Sequence, residues 1–203
     1  MVAGFAGAWA THSSALMEVR HSARWQFAAI VSFISLFLLA GPAAADLLIW
    51  KRVQIADGQA WRWISGHVVH LSTRHCLSNL LGLLVICDCV WDELGLAEAC
   101  ALSVWTAAGT SLLLWWFAPA IQWYAGLSGL LHGLWAGCAM AWWCRTGDKM
   151  AAGALLLLLI KLVLPSHAFS EVPVVTVAHG YGALSGLVWA VLRARARRHG
   201  IFG

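Results

Sequence analysis

Six long apolar runs constrain this chain more than any other feature. They lie at about 26–49, 71–91, 95–117, 124–143, 150–165 and 174–192. A helix needs about 20 apolar residues to cross a bilayer. Of the 203 residues, 61% are hydrophobic and 11% charged, against about 25% charged in a usual soluble domain. A water-soluble fold of this size cannot hide so much apolar surface. The reading is an all-α membrane protein, a bundle of six transmembrane helices, with little chain left for a second domain. Many of the fourteen Trp sit near the ends of the runs, as interfacial aromatic belts do.

Prolines punctuate the runs. Pro42 falls inside the first and is expected to kink it. Pro119, Pro165 and Pro173 mark run ends. The fifth run is short and carries Lys161 near one end, so it is expected to tilt little or to loosen at the interface.

Basic residues set the orientation. With the N-terminus inside, Arg20, Arg24, Arg145, Lys149, Arg193, Arg195, Arg197 and Arg198 are cytoplasmic, and Lys51, Arg52, Arg62 and Arg74 are outside, eight against four. Residues 1–24 read as a poorly ordered cytoplasmic tail, with Met1 or Met17 as the start and no signal-peptide pattern. Residues 25–192 form the membrane domain, and 193–203 a basic cytoplasmic tail that anchors topology; a nucleic-acid arm is the less simple account. The outer loop at 50–70 contains W-R-W at 61–63. Its amphipathic side chains suit a half-embedded loop, with Trp61 and Arg62 as interfacial anchors. Cys76, Cys87, Cys89, Cys100, Cys138 and Cys144 fall mostly within the runs, and C-x-C at 87–89 is no paired metal framework. All six read as small, buried and reduced.

Polar groups inside a membrane are costly and usually face the bundle interior. His75 and Asn79 are i, i+4 and share a helix face, with Ser78 and Gly82 expected on the same side. This stripe either bonds neighbouring helices or donates to a developing oxyanion. In G-L-S-G at 126–129, Ser128 is a packing residue or a nucleophile. Gly129, Gly133 and Gly137 recur every four residues, a small-xxx-small face for close helix contact. His179, Gly182 and Gly186 lie on one stripe of the last run, which points His179 at a neighbouring helix. A neutral His there needs a partner, either a backbone carbonyl or Ser128. One Ser, one base and two donors fall on three helices at one depth, which suits acyl transfer: Ser is weak until a base takes its proton, and the tetrahedral oxygen needs preorganised donors.

These residues resemble the rhomboid family of intramembrane serine proteases. The resemblance spans about 26–192. It rests on W-R at 61–62, H-x-x-x-x-H-x-x-x-N from His70 to Asn79, G-L-S-G at 126–129, and A-H-x-x-G-x-x-x-G from Ala178 to Gly186. It implies a rhomboid-like six-helix bundle with a Ser128–His179 dyad, and an oxyanion site from His75, Asn79 and the Ser128 N–H. Gly126, Gly129, Gly182, Gly186, His70 and Arg62 are implied as supporting residues. The fifth helix (150–165) and the loop 166–173 are implied as a gate, with Glu171 in that loop read as facing water. One departure is His132, four after the Ser, where many rhomboids place an aromatic against the catalytic His. The run G-L-S-G-L-L-H-G looks most like the rhombosortase branch. That branch implies membrane-anchored protein substrates with a C-terminal Gly-rich sorting signal (GlyGly-CTERM type), an apolar helix and a basic tail. His132 either positions His179, which is put first, or is a second base. The resemblance further implies the bacterial inner membrane, with both termini cytoplasmic, a lipid bilayer as the partner, no nucleic acid, no metal and no organic cofactor.

Three rivals are weaker. A metalloprotease would want H-E-x-x-H, which is missing. A non-catalytic scaffold would not need both Ser128 and His179. A transporter would show an inverted repeat and midplane polar groups. A general rhomboid protease of other single-span substrates is the nearer alternative.

Overall fold

The computed structural model describes residues 22–39, 41–91, 94–164 and 176–199. The expected tail up to residue 21 (Met17 and Arg20 included), Pro165, the loop 166–173 with Glu171, Pro173 and residues 200–203 lie outside the described residues. Each apolar run contains one long helix, with altered bounds. These are α1 (Ser22–Leu39), α5 (Thr73–Cys89), α6 (Leu96–Phe117), α7 (Ser128–Thr146), α8 (Lys149–Val163) and α9 (Thr176–Arg198). Between α1 and α5 lie the short helices α2 (Pro42–Leu48), α3 (Arg52–Ala56) and α4 (Arg62–Ser65), the strand β1 (Trp50–Lys51) and a 3₁₀ turn at Gly66–Val68.

The first run does not form one kinked helix. It ends at Leu39, and a separate helix starts with Pro42 in its first turn after the N-cap Gly41. Proline lacks the N–H that a continuing helix would need there, and suits a first turn where that N–H has no partner.

By length and composition, two described helices can cross a membrane, Ser22–Leu39 and Leu96–Phe117. The six expected helices are in place, but four of them fall short of that measure. α5 and α8 have only 17 and 15 residues. α9 ends in a run of arginines. α7 carries Gly, Ser and His along its length, and it is the most enclosed helix, with eleven of its 19 residues buried. A helix shielded by protein on most sides has no need of an apolar circumference. Outward faces are apolar instead: Phe33, Phe37, Leu81, Trp116 and Val163 are each more than 60% exposed, a surface suited to lipid.

Glycines set the central seam. A Cβ at Gly182 would run into the Gly129 carbonyl oxygen, and one at Gly186 into that of Gly133. In the other direction, a Cβ at Gly133 would lie 2.8 Å from the Gly182 oxygen, and one at Gly137 3.3 Å from the Gly186 oxygen. α7 and α9 thus meet backbone to backbone, as the spacing predicted. Above the seam, β1 pairs antiparallel with β2 (Trp123–Tyr124), Trp50 opposite Tyr124. This ties the 50–70 segment to the chain entering α7.

Two basic residues of that segment, Arg52 and Arg62, turn inward to backbone carbonyls. Arg62 is 3% exposed. It donates to the carbonyls of Asp46 (3.0 Å) and Ile49 (2.6 Å) and to Gln59 Oε1 (2.8 Å). It is an internal staple, because the carbonyls and the Gln59 amide oxygen supply what water would. Trp61 stays 53% exposed, its indole N–H on the Leu47 carbonyl at 3.0 Å. Arg52 donates to the carbonyls of Leu114, Trp115, Ala118 and Ile121. The last carbonyls of α6 have no intrahelical partner, and this guanidinium satisfies them. His67 is fully buried; Ser111 donates to the Trp63 carbonyl (2.6 Å) and so accepts from His67 Nε2 (3.1 Å). Of the cysteines, Cys76, Cys87 and Cys138 are buried as expected, whereas Cys89, Cys100 and Cys144 are exposed; all six are free thiols.

Candidate active site

Ser128 is the first residue of α7. The chain reaches it through Gly126, whose φ of +138° is a backbone that side chains disfavour. A Cβ at Gly126 would also lie 2.7 Å from Cε1 of the His75 ring. Glycine is needed twice over, for the turn and for the imidazole that covers it. Tyr124 holds the turn closed: its hydroxyl donates to the Gly126 carbonyl (2.6 Å) and accepts from Gly129 N–H (3.1 Å). The turn delivers Ser128 to a helix N-terminus, where the first N–H groups have no intrahelical acceptor and the helix dipole favours negative charge.

His179 arrives from α9, one turn before Gly182. Its Nε2 lies 3.0 Å from Ser128 Oγ. Its ring stacks on His132, with centroids 4.2 Å apart and planes 7° from parallel. His132 Nδ1 lies 2.6 Å from the Ser128 carbonyl. A carbonyl only accepts, so that nitrogen carries the proton. His132 therefore bonds α7's own first turn while its face holds the His179 ring.

The α5 group forms the other wall. Asn79 is buried, with Nδ2 3.0 Å from His70 Nε2. An amide nitrogen only donates, so His70 accepts there and Asn79 keeps a second N–H. The His70 ring packs edge-on against His75 at 5.2 Å. The His75 ring in turn covers Gly126, two residues before Ser128. Outside the helices, burial, with the His75 charge second, pushes His70 down to about 4, so it is a neutral acceptor at physiological pH.

The structure thus brings Ser128, His179, His132, His75 and Gly126 together, with His70 packed on His75 and Asn79 bonded to His70. Gly129, Gly182 and Gly186 serve the seam. Arg62 stands apart, in the staple of the 50–70 segment. Ser78 leaves the expected stripe: it is exposed and donates to the Arg74 carbonyl of its own helix (2.8 Å). One neighbour went unassigned in the sequence. Tyr124, one of two tyrosines in the chain, begins the Y-A-G-L-S stretch.

Chemically, an imidazole nitrogen at 3.0 Å can take a hydroxyl proton, and an activated serine at a helix N-terminus can attack a carbonyl. A Rhomboid domain profile matches residues 57–196, more than half of the chain. The chain belongs to the rhomboid family. The Rhomboid protease GlpG of Serratia proteamaculans (strain 568) is 25% identical over 172 residues, covering 84% of this chain and 61% of that protein. The chain therefore spans about 61% of the length of this curated relative. Within the rhomboid domain fall all the residues gathered here, from His70 to Gly186.

Proposed function

We propose that this rhomboid is an intramembrane serine protease with Ser128 as nucleophile and His179 as its base. The observation that carries the reading is the 3.0 Å contact between Ser128 Oγ and His179 Nε2 across a glycine seam. The 25% identity to a protein named as a rhomboid protease supports it. Ser128 Oγ attacks the peptide carbonyl while its proton passes to His179 Nε2. Negative charge gathers on the carbonyl oxygen, beside the Ser128 N–H, His75 and Asn79 as donors. The C–N bond then breaks, and His179 returns the proton to the leaving amine. Water, deprotonated by the same nitrogen, releases the acyl group. His132 holds the His179 ring through the stack.

On this reading all six long helices span the inner membrane, with both termini cytoplasmic and residues 25–192 as the membrane domain. The apolar exposed faces support it, and a helix as short as α8 spans by local bilayer thinning. The substrates are membrane-anchored proteins cut near the outer face. G-L-S-G-L-L-H-G, with His132 stacked on His179, supports the branch that handles C-terminal Gly-rich sorting signals. The test is co-expression with such a substrate, comparing wild type with Ser128→Ala, His179→Ala and His132→Ala. Loss of cleavage in the first two supports the dyad. Wild type cutting this substrate no better than Ser128→Ala sinks the sorting assignment, and a general single-span substrate then tests the protease reading itself.

A further inference from the structure

The backbone N–H groups of Ser128, Gly129 and Leu130 come before the first intrahelical bond of α7, which runs from Leu131 N–H to the Leu127 carbonyl at 2.9 Å. One of the three is already engaged. Gly129 N–H donates to the Tyr124 hydroxyl at 3.1 Å, and that hydroxyl donates to the Gly126 carbonyl at 2.6 Å. We propose that Tyr124 is a positioning residue for proteolysis, its hydroxyl bridge fixing Ser128 Oγ and the Ser128 N–H in the geometry the reaction needs. This role rests on the Ser128–His179 reading above.

The bridge brackets the nucleophile. Gly126 lies two residues before Ser128 and Gly129 one after, so the two bonds close a loop around Leu127 and Ser128. Gly126 is where such a clamp matters most. Its φ of +138° is one of several conformations open to a glycine, and no side chain of its own restricts it. A hydroxyl can donate to a carbonyl and accept from an N–H at once. A phenyl ring of the same size can do neither. The fit is close: a Cβ on Gly129 would lie 2.8 Å from the Tyr124 oxygen.

The phenol is itself held from outside α7. Tyr124 is buried, and β2 pairs it with Trp50 of β1. Gly126 N–H donates to the Gly66 carbonyl at 3.1 Å. The turn before Ser128 is thus pinned to the 50–70 segment at two points and closed on itself by the hydroxyl. A tyrosine kept for packing alone would not need its hydroxyl on two backbone groups that flank the nucleophile. The 3.0 Å contact of Ser128 Oγ with His179 and the direction of the Ser128 N–H both follow from the backbone of Leu127 and Ser128. With that backbone clamped, neither group has to reorganise as charge develops on the substrate oxygen.

The test is labelling of Ser128 by a fluorophosphonate probe in the full chain, resolved into a maximal rate and a half-saturating probe concentration. End-point labelling counts the folded sites. Tyr124→Phe keeps the ring and should reach the wild-type end point at the wild-type half-saturation. Its maximal rate should fall about 10–100-fold, the loss expected for a misplacement near 1 Å. Ser111→Ala is the stability control. Ser111 is fully buried, and its loss also breaks two hydrogen bonds, to the Trp63 carbonyl and to His67. It should lower the melting temperature as Tyr124→Phe does and keep the wild-type maximal rate. Should Tyr124→Phe miss the end point, 4-aminophenylalanine at residue 124 takes its place. Its nitrogen donates to Gly126 but accepts poorly from Gly129, so labelling should slow several-fold. A wild-type maximal rate in the deciding variant, or an equal fall in Ser111→Ala, overturns the role. Wild type that does not label at Ser128 sinks the protease reading and this role with it. Wild type that labels beside an unaffected Tyr124→Phe sinks this role alone.

Discussion

Replacing Gly182 by Ala tests whether the seam sets the Ser–His distance. The new methyl would occupy the space of the Gly129 carbonyl oxygen, and both groups belong to rigid helices. Restoring an ordinary carbon–oxygen contact requires the helices to part by roughly 1 Å. His179 sits one turn from Gly182, and Ser128 immediately precedes Gly129. The same displacement stretches the 3.0 Å bond to about 4 Å, beyond hydrogen-bond range. A misplacement of that size costs roughly 10² in rate, with overpacking adding about 1–3 kcal/mol of destabilisation. Gly180 is the internal control. A Cβ there meets nothing within 4 Å, and Ala in a helix interior is favoured over Gly by up to about 1 kcal/mol. Labelling of Ser128 by a fluorophosphonate probe, alongside melting temperature, reads both effects. Gly182→Ala should label about a hundred-fold more slowly, and Gly180→Ala at the wild-type rate. A folded Gly182→Ala protein that labels like wild type would refute the argument.

His132→Phe keeps a flat ring on His179 and should retain more fluorophosphonate labelling than His132→Ala, which loses the stack; equal rates would remove the positioning role. Arg62→Ala strips the buried Ile49 carbonyl and the part-buried Asp46 carbonyl of their donor and should destabilise the protein by roughly 1–3 kcal/mol, seen as a lower denaturation midpoint; Arg62→Lys, a point donor, should recover only part. Burial pushes both His67 and His70 down to about 4 from an ordinary 6.5. The folded state holds them neutral while the unfolded chain protonates them, so their contribution is intact above pH 6.5 and lost as pH falls toward 4. Melting temperature should decline across that window, and a flat profile would contradict it.

Much of the site was legible because its determinants are local or periodic. Gly129, Gly133 and Gly137 announce a close helix contact by spacing alone, and His179 shares a stripe with Gly182 and Gly186. The basic residues of the 50–70 segment were less legible. Sequence reasoning sends an arginine to water, yet Arg62 and Arg52 find carbonyls contributed by Asp46 and Ile49 or by the end of α6. Those partners exist only once the segment has folded back, 60 or more residues apart in the case of Arg52. Ser78 was misplaced because a residue three positions on lies about 60° to one side of His75, and Asn79 about 40° to the other. Tyr124 escaped because its role depends on the φ of Gly126, which no pattern of polarity encodes.

Ser128 and His179 are 51 residues apart, with α8 and most of α7 between them. Synthesis at about 5–20 residues per second leaves an interval of several seconds in which the serine has emerged and its base has not. On the proposed assignment a half-made or truncated chain carries a hydroxyl with nothing to deprotonate it. Docking of the last helix is then the activating event, and the neighbouring nascent proteins of the membrane are safe from the enzyme until it is complete.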